Sequence, residues 1–226
     1  MIGIQISTYN RPDVLRHTVS KMRQYYSDQF HVIVIDDASD CHNENREIVD
    51  AAGFEYILLT ERTGIPHVKN IGFERLLKYD QQFWFDDDCF PIVDDWHVPI
   101  LKAMERTGHI LYLKDWFHIK KVDDWGDGLI EYSDPTACFM TFDRDMYDDV
   151  QGFSKGFPMY GSWHPILSRK MFEAGHSIAP YMSLGNISTL LNAFDLDGRP
   201  DWFRSSLSHK ERYEHLEKWN KRNQKT

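Results

Sequence analysis

His31-Val32-Ile33-Val34-Ile35-Asp36-Asp37-Ala38-Ser39-Asp40 passes directly from an apolar run into a cluster of carboxylates. Residues 31–35 show no polar alternation, as expected of a strand buried on both faces. Such a strand needs helices above and below it, which points to a mostly parallel sheet. The acidic stretch then marks the carboxyl end of that strand.

The flanking sequence repeats the theme. Residues 2–6 are short and β-branched. Pro12 can open a helix, and Leu15, Val19, Met22 and Tyr26 follow at helical spacing. A polar helix over 43–52 stops at Gly53, and residues 54–59 read as a third strand. Pro66 opens another helix, with Ile65, Val68, Gly72 and Leu76 on one face. Phe83-Trp84-Phe85 is a fourth strand that runs into Asp86-Asp87-Asp88. This alternation predicts an α/β fold with a mostly parallel, doubly wound, Rossmann-like sheet. Beyond Pro91 the pattern loosens. Residues 96–106 read as a helix, 110–113 as a strand, and 115–135 as a loop or irregular hairpin. Residues 137–142 read as a strand, and 160–174 as a helix ended by Gly175. The last segment, 208–226, places Tyr213, Leu216 and Trp219 at helical spacing in a locally basic tail.

The 226 residues suggest one domain, with a regularly alternating half (1–90), a looser half (91–207) and the tail (208–226). A hydrophobic fraction of 42%, with 14% aromatic, suffices for a sizeable core and argues against disorder. The net charge of -9 disfavours non-specific polyanion binding, although the tail is locally basic. No apolar run reaches a membrane span. The start reads as a first strand and not as a signal peptide. Cys41, Cys89 and Cys138 form no CxxC pair, and reduced thiols fit a cytoplasmic protein.

Ligands of open α/β sheets bind outside the carboxyl ends of the strands. Three polar clusters fall there: Ser7-Thr8-Tyr9-Asn10-Arg11, Asp36-Asp37 and Asp86-Asp87-Asp88. Neither a GxGxxG nor a GxxxxGK[ST] is present, which argues against dinucleotide and P-loop binding. A carboxylate-bound divalent metal is then the candidate for neutralising phosphate. Asp86 and Asp88 form a D-x-D, and alternation at a strand end turns both to one side. Their hard oxygens suit Mg²⁺ or Mn²⁺. The same pattern also occurs in surface acidic turns, but Phe-Trp-Phe before it is too apolar for one. Of Asp36 and Asp37, one can cap the following helix while the other accepts from a base N–H. Lys69 reads by default as a solvated lysine, whereas Asn70, inside an apolar helix pattern, needs a partner.

Four ordered segments carry a family resemblance: residues 6–12 (ISTYNRP), 34–40 (VIDDASD), 64–72 (GIPHVKNIG) and 85–88 (FDDD). Together they resemble the family 2 glycosyltransferases with a GT-A fold. The resemblance covers about the first ninety residues and only loosely the remainder. It implies a nucleotide-sugar donor, most often a UDP-sugar, a divalent metal, and inversion at the anomeric carbon. Carried over by residue, Thr8, Tyr9 and Arg11 line the nucleotide pocket, and Asp36 or Asp37 holds the base. Lys69 stands where the family usually has an arginine facing the diphosphate, with Asn70 beside it. Asp86 and Asp88 hold the metal, Asp88 directly, with Asp87 next to them.

The sequence departs from the family at the general base. Relatives carry Glu-Asp or Glu-His at the start of a helix, where this chain has Trp163-His164. His164 is therefore the candidate for base or acceptor contact; alternatively it packs against Trp163. Asp134, Asp148 and Asp149 are reserve carboxylates. His209, in the tail, is a candidate third metal ligand, as relatives sometimes supply one from the C-terminus. Trp96, Trp116, Trp125 and Trp163 suit either core or acceptor cleft. The acceptor implied is a glycan hydroxyl or, as in some small phage-type enzymes, a hydroxymethylated DNA base. The rival classes are an inactive nucleotide- or carbohydrate-binding module, favoured by Trp163, and a sugar nucleotidyltransferase. The second would want a glycine-rich basic loop that residues 7–11 lack.

Overall fold

The computed structural model describes residues 1–113, 119–133, 137–150, 152–153 and 163–193. In chain order the elements begin β1 (Ile2–Thr8), α1 (Pro12–Gln24), β2 (Phe30–Asp36), α2 (His42–Ala51), β3 (Glu55–Leu58) and α3 (Ile65–Arg75). They continue with β4 (Gln81–Asp86), β5 (Cys89–Pro91), α4 (His97–Thr107), β6 (Lys121–Gly126) and β7 (Leu129–Tyr132). The last are β8 (Phe139–Asp143), α5 (Met146–Val150), α6 (Trp163–Glu173), β9 (Met182–Leu184) and β10 (Leu191–Ala193).

The central sheet has the order β3-β2-β1-β4-β8. Its first four strands are parallel, and β8 closes the edge antiparallel to β4. Every residue of β1 is buried, so this strand is sandwiched between helices. On one face α1 turns Val14, Leu15, Thr18, Val19 and Met22 inward. Pro12 at its start costs nothing, because the first helical N–H has no intrahelical acceptor. The core below is strongly aromatic: Trp96 is fully buried and packs on Phe30, Phe83, Phe85 and Phe139.

Two smaller sheets complete the described chain: β6-β7-β9 and the pair β5-β10. The strand expected over 110–113 reduces to a single bridge, Leu111 to Met140. Leu111 N also donates to Met182 O (2.8 Å), so this short stretch joins β8 to β9 instead of forming an element. The irregular hairpin expected within 115–135 is β6-β7, with two register shifts. The short elements β5, α5, β9 and β10 carry too few residues for a periodic signal. The tail 208–226, Trp116, Asp134, His209 and the expected helix start at 160–162 lie outside the described residues.

Candidate active site

Register brings the polar loops together. Thr8 lies opposite Asp36, and Ser7 lies between Ile35 and Asp86. The carboxyl ends of β1, β2 and β4 are thus level, and three successive loops open from one edge.

Asp86, Asp87 and Asp88 are all engaged by protein donors there. Lys69 Nζ is 3.0 Å from Asp86 Oδ1 and donates to Phe85 O (2.7 Å). Thr8 Oγ1 donates to Asp87 Oδ2 (2.7 Å), and Thr18 Oγ1 donates to Asp87 O (2.5 Å). Arg11 spans the next two carboxylates: Nη1 lies 3.1 Å from Asp87 Oδ1, and Nη2 lies 3.0 Å from Asp88 Oδ2. Burial pushes the Asp87 carboxyl up to about 6, against the pull of Arg11. Burial also raises Asp86, opposed by Lys69. Charge-assisted bonds of this kind are needed to keep clustered carboxylates inside a fold.

Asp86 and Asp88 fit a divalent cation better than Asp87 does. Both Asp87 oxygens are committed to Arg11 and Thr8, whereas Asp88 Oδ1 is buried and accepts no hydrogen bond. A buried acceptor without a donor is costly unless something binds it. The Asp86 side chain keeps 23% exposure at the strand end. Among the described residues no group of three or more His, Cys, Asp or Glu converges as a complete protein cage. Mg²⁺ and Mn²⁺ sites of this type are commonly completed by substrate phosphate and water.

The second acidic pair is committed to the scaffold. Asp36 is fully buried: Oδ1 accepts from Ser39 N (2.8 Å), and Oδ2 accepts from Asn45 Nδ2 (2.7 Å) and Tyr56 Oη (2.6 Å). Of the pair read as holding the base, Asp36 or Asp37, Asp36 thus has both oxygens occupied by protein donors. It ties the end of β2 to α2 and β3. Asp37 accepts from Thr63 N (2.7 Å), Thr63 Oγ1 (3.0 Å) and Gly64 N (2.8 Å), so it holds the loop that starts α3. Gly64 adopts φ +88°, a conformation costly for any residue with a Cβ. Asn10 joins the first two loops: its N donates to Ser39 Oγ (2.8 Å), and its Oδ1 accepts from Asp40 N (2.8 Å). Tyr9, partly exposed, carries the Arg62 guanidinium over its ring at 4.0 Å.

Lys69 is not solvated, contrary to the default reading of a helix-surface lysine; it is fully buried beneath the end of β4. Its backbone carbonyl accepts from the buried Gln5 Nε2 (3.2 Å). Asn70 pairs reciprocally with Phe153, Nδ2 to O and Oδ1 from N, both 2.9 Å. That is the partner its sequence position demanded. It ties α3 to Phe153, far along the chain.

His164 sits in the first turn of α6. Burial lowers its pKa well below the usual imidazole range, and the charge of nearby Lys69 adds to this. Leu167 and Met171 of α6 share an apolar cluster with Phe73 of α3, so α6 packs on the same face of the sheet as the helix that carries Lys69. One turn later Ser168 Oγ meets His109 Nε2 (2.8 Å), and His109 Nδ1 meets Thr141 O (2.7 Å). A carbonyl only accepts, so Nδ1 carries the proton and Nε2 accepts from Ser168. Burial accordingly lowers the His109 pKa to about 4. Asp148 and Asp149 drop out as reserve bases. They follow β8, whose end at Asp143 is level with Gln81, the opposite edge from Asp86. Trp96 is core. Trp125 lies in the β6-β7 hairpin, its carbonyl held by Arg106 at the last turn of α4.

The model of the family described as glycosyl transferase family 2 matches residues 4–169. The chain belongs to glycosyltransferase family 2. Its mixed α/β sheet agrees with solved GT-A glycosyltransferases. One is the mannosyltransferase PcManGT from Pyrobaculum calidifontis, in complex with GDP-Man and Mn²⁺. It is 16% identical, with a TM-score of 0.65 over 89% of this chain and 59% of that one. GalNAc-T7 with UDP, GalNAc and Mn²⁺ is 12% identical, with a TM-score of 0.69 over 96% and 47%. S. aureus TarS with UDP-GlcNAc is 13% identical, with a TM-score of 0.65 over 95% and 64%. At such identities the likeness shows the fold. The chain spans 47–64% of the length of these three structures. A comparison with curated proteins gives no match. No helix among the described residues of this family 2 glycosyltransferase is long and apolar enough to cross a membrane.

Tyr56, Arg62, Thr63 and His109 were missed by the sequence reading. Arg62 and Thr63 directly precede the Gly64 motif, which was a usable signal. Tyr56 and His109 find their partners only through tertiary folding.

Proposed function

We propose that the protein transfers one sugar from a nucleotide-sugar, preferably a UDP-sugar, to an acceptor hydroxyl with inversion. The observation that carries this is the level sheet edge on which Thr8, Arg11, Lys69, Asp86, Asp87 and Asp88 interlock. Family membership and the nucleotide ligands of the structural neighbours support it.

Asp86 and Asp88 would hold Mn²⁺ or Mg²⁺; the bound ion would stabilise the charge that grows on the departing diphosphate. Thr8 and Arg11 keep the acidic turn in register. Tyr9, under Arg62, offers a ring face to the nucleobase. Asp37 fixes the loop that carries Arg62 and Thr63. Lys69 holds Asp86 at the strand end and adds positive potential beneath the leaving group. His164, kept neutral by burial, is a proton acceptor on the same side and is assigned the acceptor hydroxyl. His209 is kept as the candidate tail ligand to the metal.

The acceptor is a hydroxyl of a glycan or of a hydroxymethylated DNA base. The basic composition of residues 210–226 favours keeping the second reading. UDP release from a panel of UDP-sugars, with Mn²⁺ and either acceptor class, tests the proposal. UDP release should require Mn²⁺ and one acceptor, and Asp88→Ala should lower it by about a hundredfold or more. Release insensitive to Asp88→Ala sinks the donor assignment. Turnover unchanged in His164→Ala sinks the base assignment alone.

A further inference from the structure

The acidic turn already contains a cation of its own. Arg11 reaches Asp87 and Asp88 with separate nitrogens at 3.1 and 3.0 Å, and those two carboxylate side chains are only 5% and 6% exposed. The Arg11 side chain retains 25% exposure, so its guanidinium is open to solvent while the carboxylates it pairs are not. Among the described residues, three ionised carboxylates against Arg11 and Lys69 leave one net negative charge for an entering ion. Asp88 divides its loyalties: Oδ2 faces Arg11, and Oδ1 is buried with no hydrogen bond.

We propose that Arg11 is a resident counter-cation of Asp87 and Asp88 that opposes metal binding until a nucleoside diphosphate draws it away. This rests on the reading of Asp86 and Asp88 as metal ligands. A divalent cation on Asp88 shares a carboxylate with the guanidinium, and two positive charges on one carboxylate repel. A diphosphate offers the same planar fork a replacement acceptor, for which guanidinium geometry is suited. Metal and diphosphate then favour each other's binding, and by linkage each raises the other's affinity by one common factor. Lys69 cannot play this part, because it is fully buried and bound to Phe85 O.

Mn²⁺ titrations at constant ionic strength, with and without UDP, test the idea. The proteins are wild type, Arg11→Met, Arg11→Lys and Asp88→Ala, with Arg16→Met as a surface control. Arg16 pairs with Glu44, away from the acidic turn. Mn²⁺ alone should bind weakly to wild type and tighten about tenfold or more when UDP is added. Arg11→Met should bind Mn²⁺ alone about tenfold more tightly than wild type, and UDP should add much less. Arg11→Lys should fall between, since one ammonium cannot span both carboxylates as the fork does; it decides the sign if Arg11→Met fails to fold. Mn²⁺ affinity unchanged or weakened in folded Arg11 variants overturns the proposal. If that happens while binding still requires Asp88, the metal reading survives. If wild type binds no Mn²⁺ even with UDP, both fall.

Discussion

At the residue scale, buried polar groups divide between scaffold and chemistry according to their partners. Asp36, with three protein donors, is scaffold; Asp88, with one oxygen unmatched, is not. His109 belongs to the scaffold and has a measurable signature. Its folded pKa is about 4, against an ordinary 6.5. The fold favours the neutral ring, so the full contribution is present above pH 6.5. It is lost as pH falls toward 4, because the unfolded chain takes a proton that the folded chain refuses. The loss amounts to about 3 kcal/mol across that window. Urea unfolding at pH 7, 5.5 and 4.5 should show wild-type stability falling more steeply than that of His109→Gln. Parallel slopes would show that His109 does not titrate in this way.

At the element scale, the fit of α3 against β1 governs how Lys69 is presented. Gly72 faces β1 so closely that an added Cβ would collide with the Gln5 side-chain amide and lie 2.9 Å from Ile35 Cδ1. Gly72→Ala gains helix propensity of about 1 kcal/mol, but the collision outweighs it. A net loss of about 1–2 kcal/mol is expected in thermal or urea unfolding. Gln5→Ala in the same chain should recover part of it, a coupling that a double-mutant cycle detects. Additive effects would show that the two side chains do not meet. The same contact explains what sequence reading reached and missed. The apolar period located α3 and the Phe-Trp-Phe run located β4, because both depend on local burial. That Lys69 points inward depends on the carbonyl of Phe85, sixteen residues away. No local pattern encodes that. The partners of Asp36 and Asp37 were hidden for the same reason, although the strand-end placement of both was legible. The stretch 110–113 was apolar enough to read as a strand, yet it supplies one bridge between two sheets.

At the scale of the whole molecule, the acidity of the sequence acquires a location. A net charge of -9 is shared out so that five carboxylates sit at one sheet edge, four of them held by protein donors that cover both oxygens or by a buried lysine. Among these five, Asp88 keeps a buried oxygen that accepts no hydrogen bond and meets no cation of the protein. The antiparallel β8 ties the second half of the chain to β4, so this edge is supported from both halves. The central claim is that Asp86 and Asp88 bind a nucleotide-sugar through a divalent metal. A thermal-shift measurement with Mn²⁺ and a UDP-sugar, separately and together, tests it most directly. At ligand near a hundred times Kd, stabilisation of about 2.7 kcal/mol should raise Tm by several degrees. The account predicts that shift only when both are present, and its disappearance in Asp88→Ala. No shift with any nucleotide-sugar, or a shift that persists in Asp88→Ala, would contradict it.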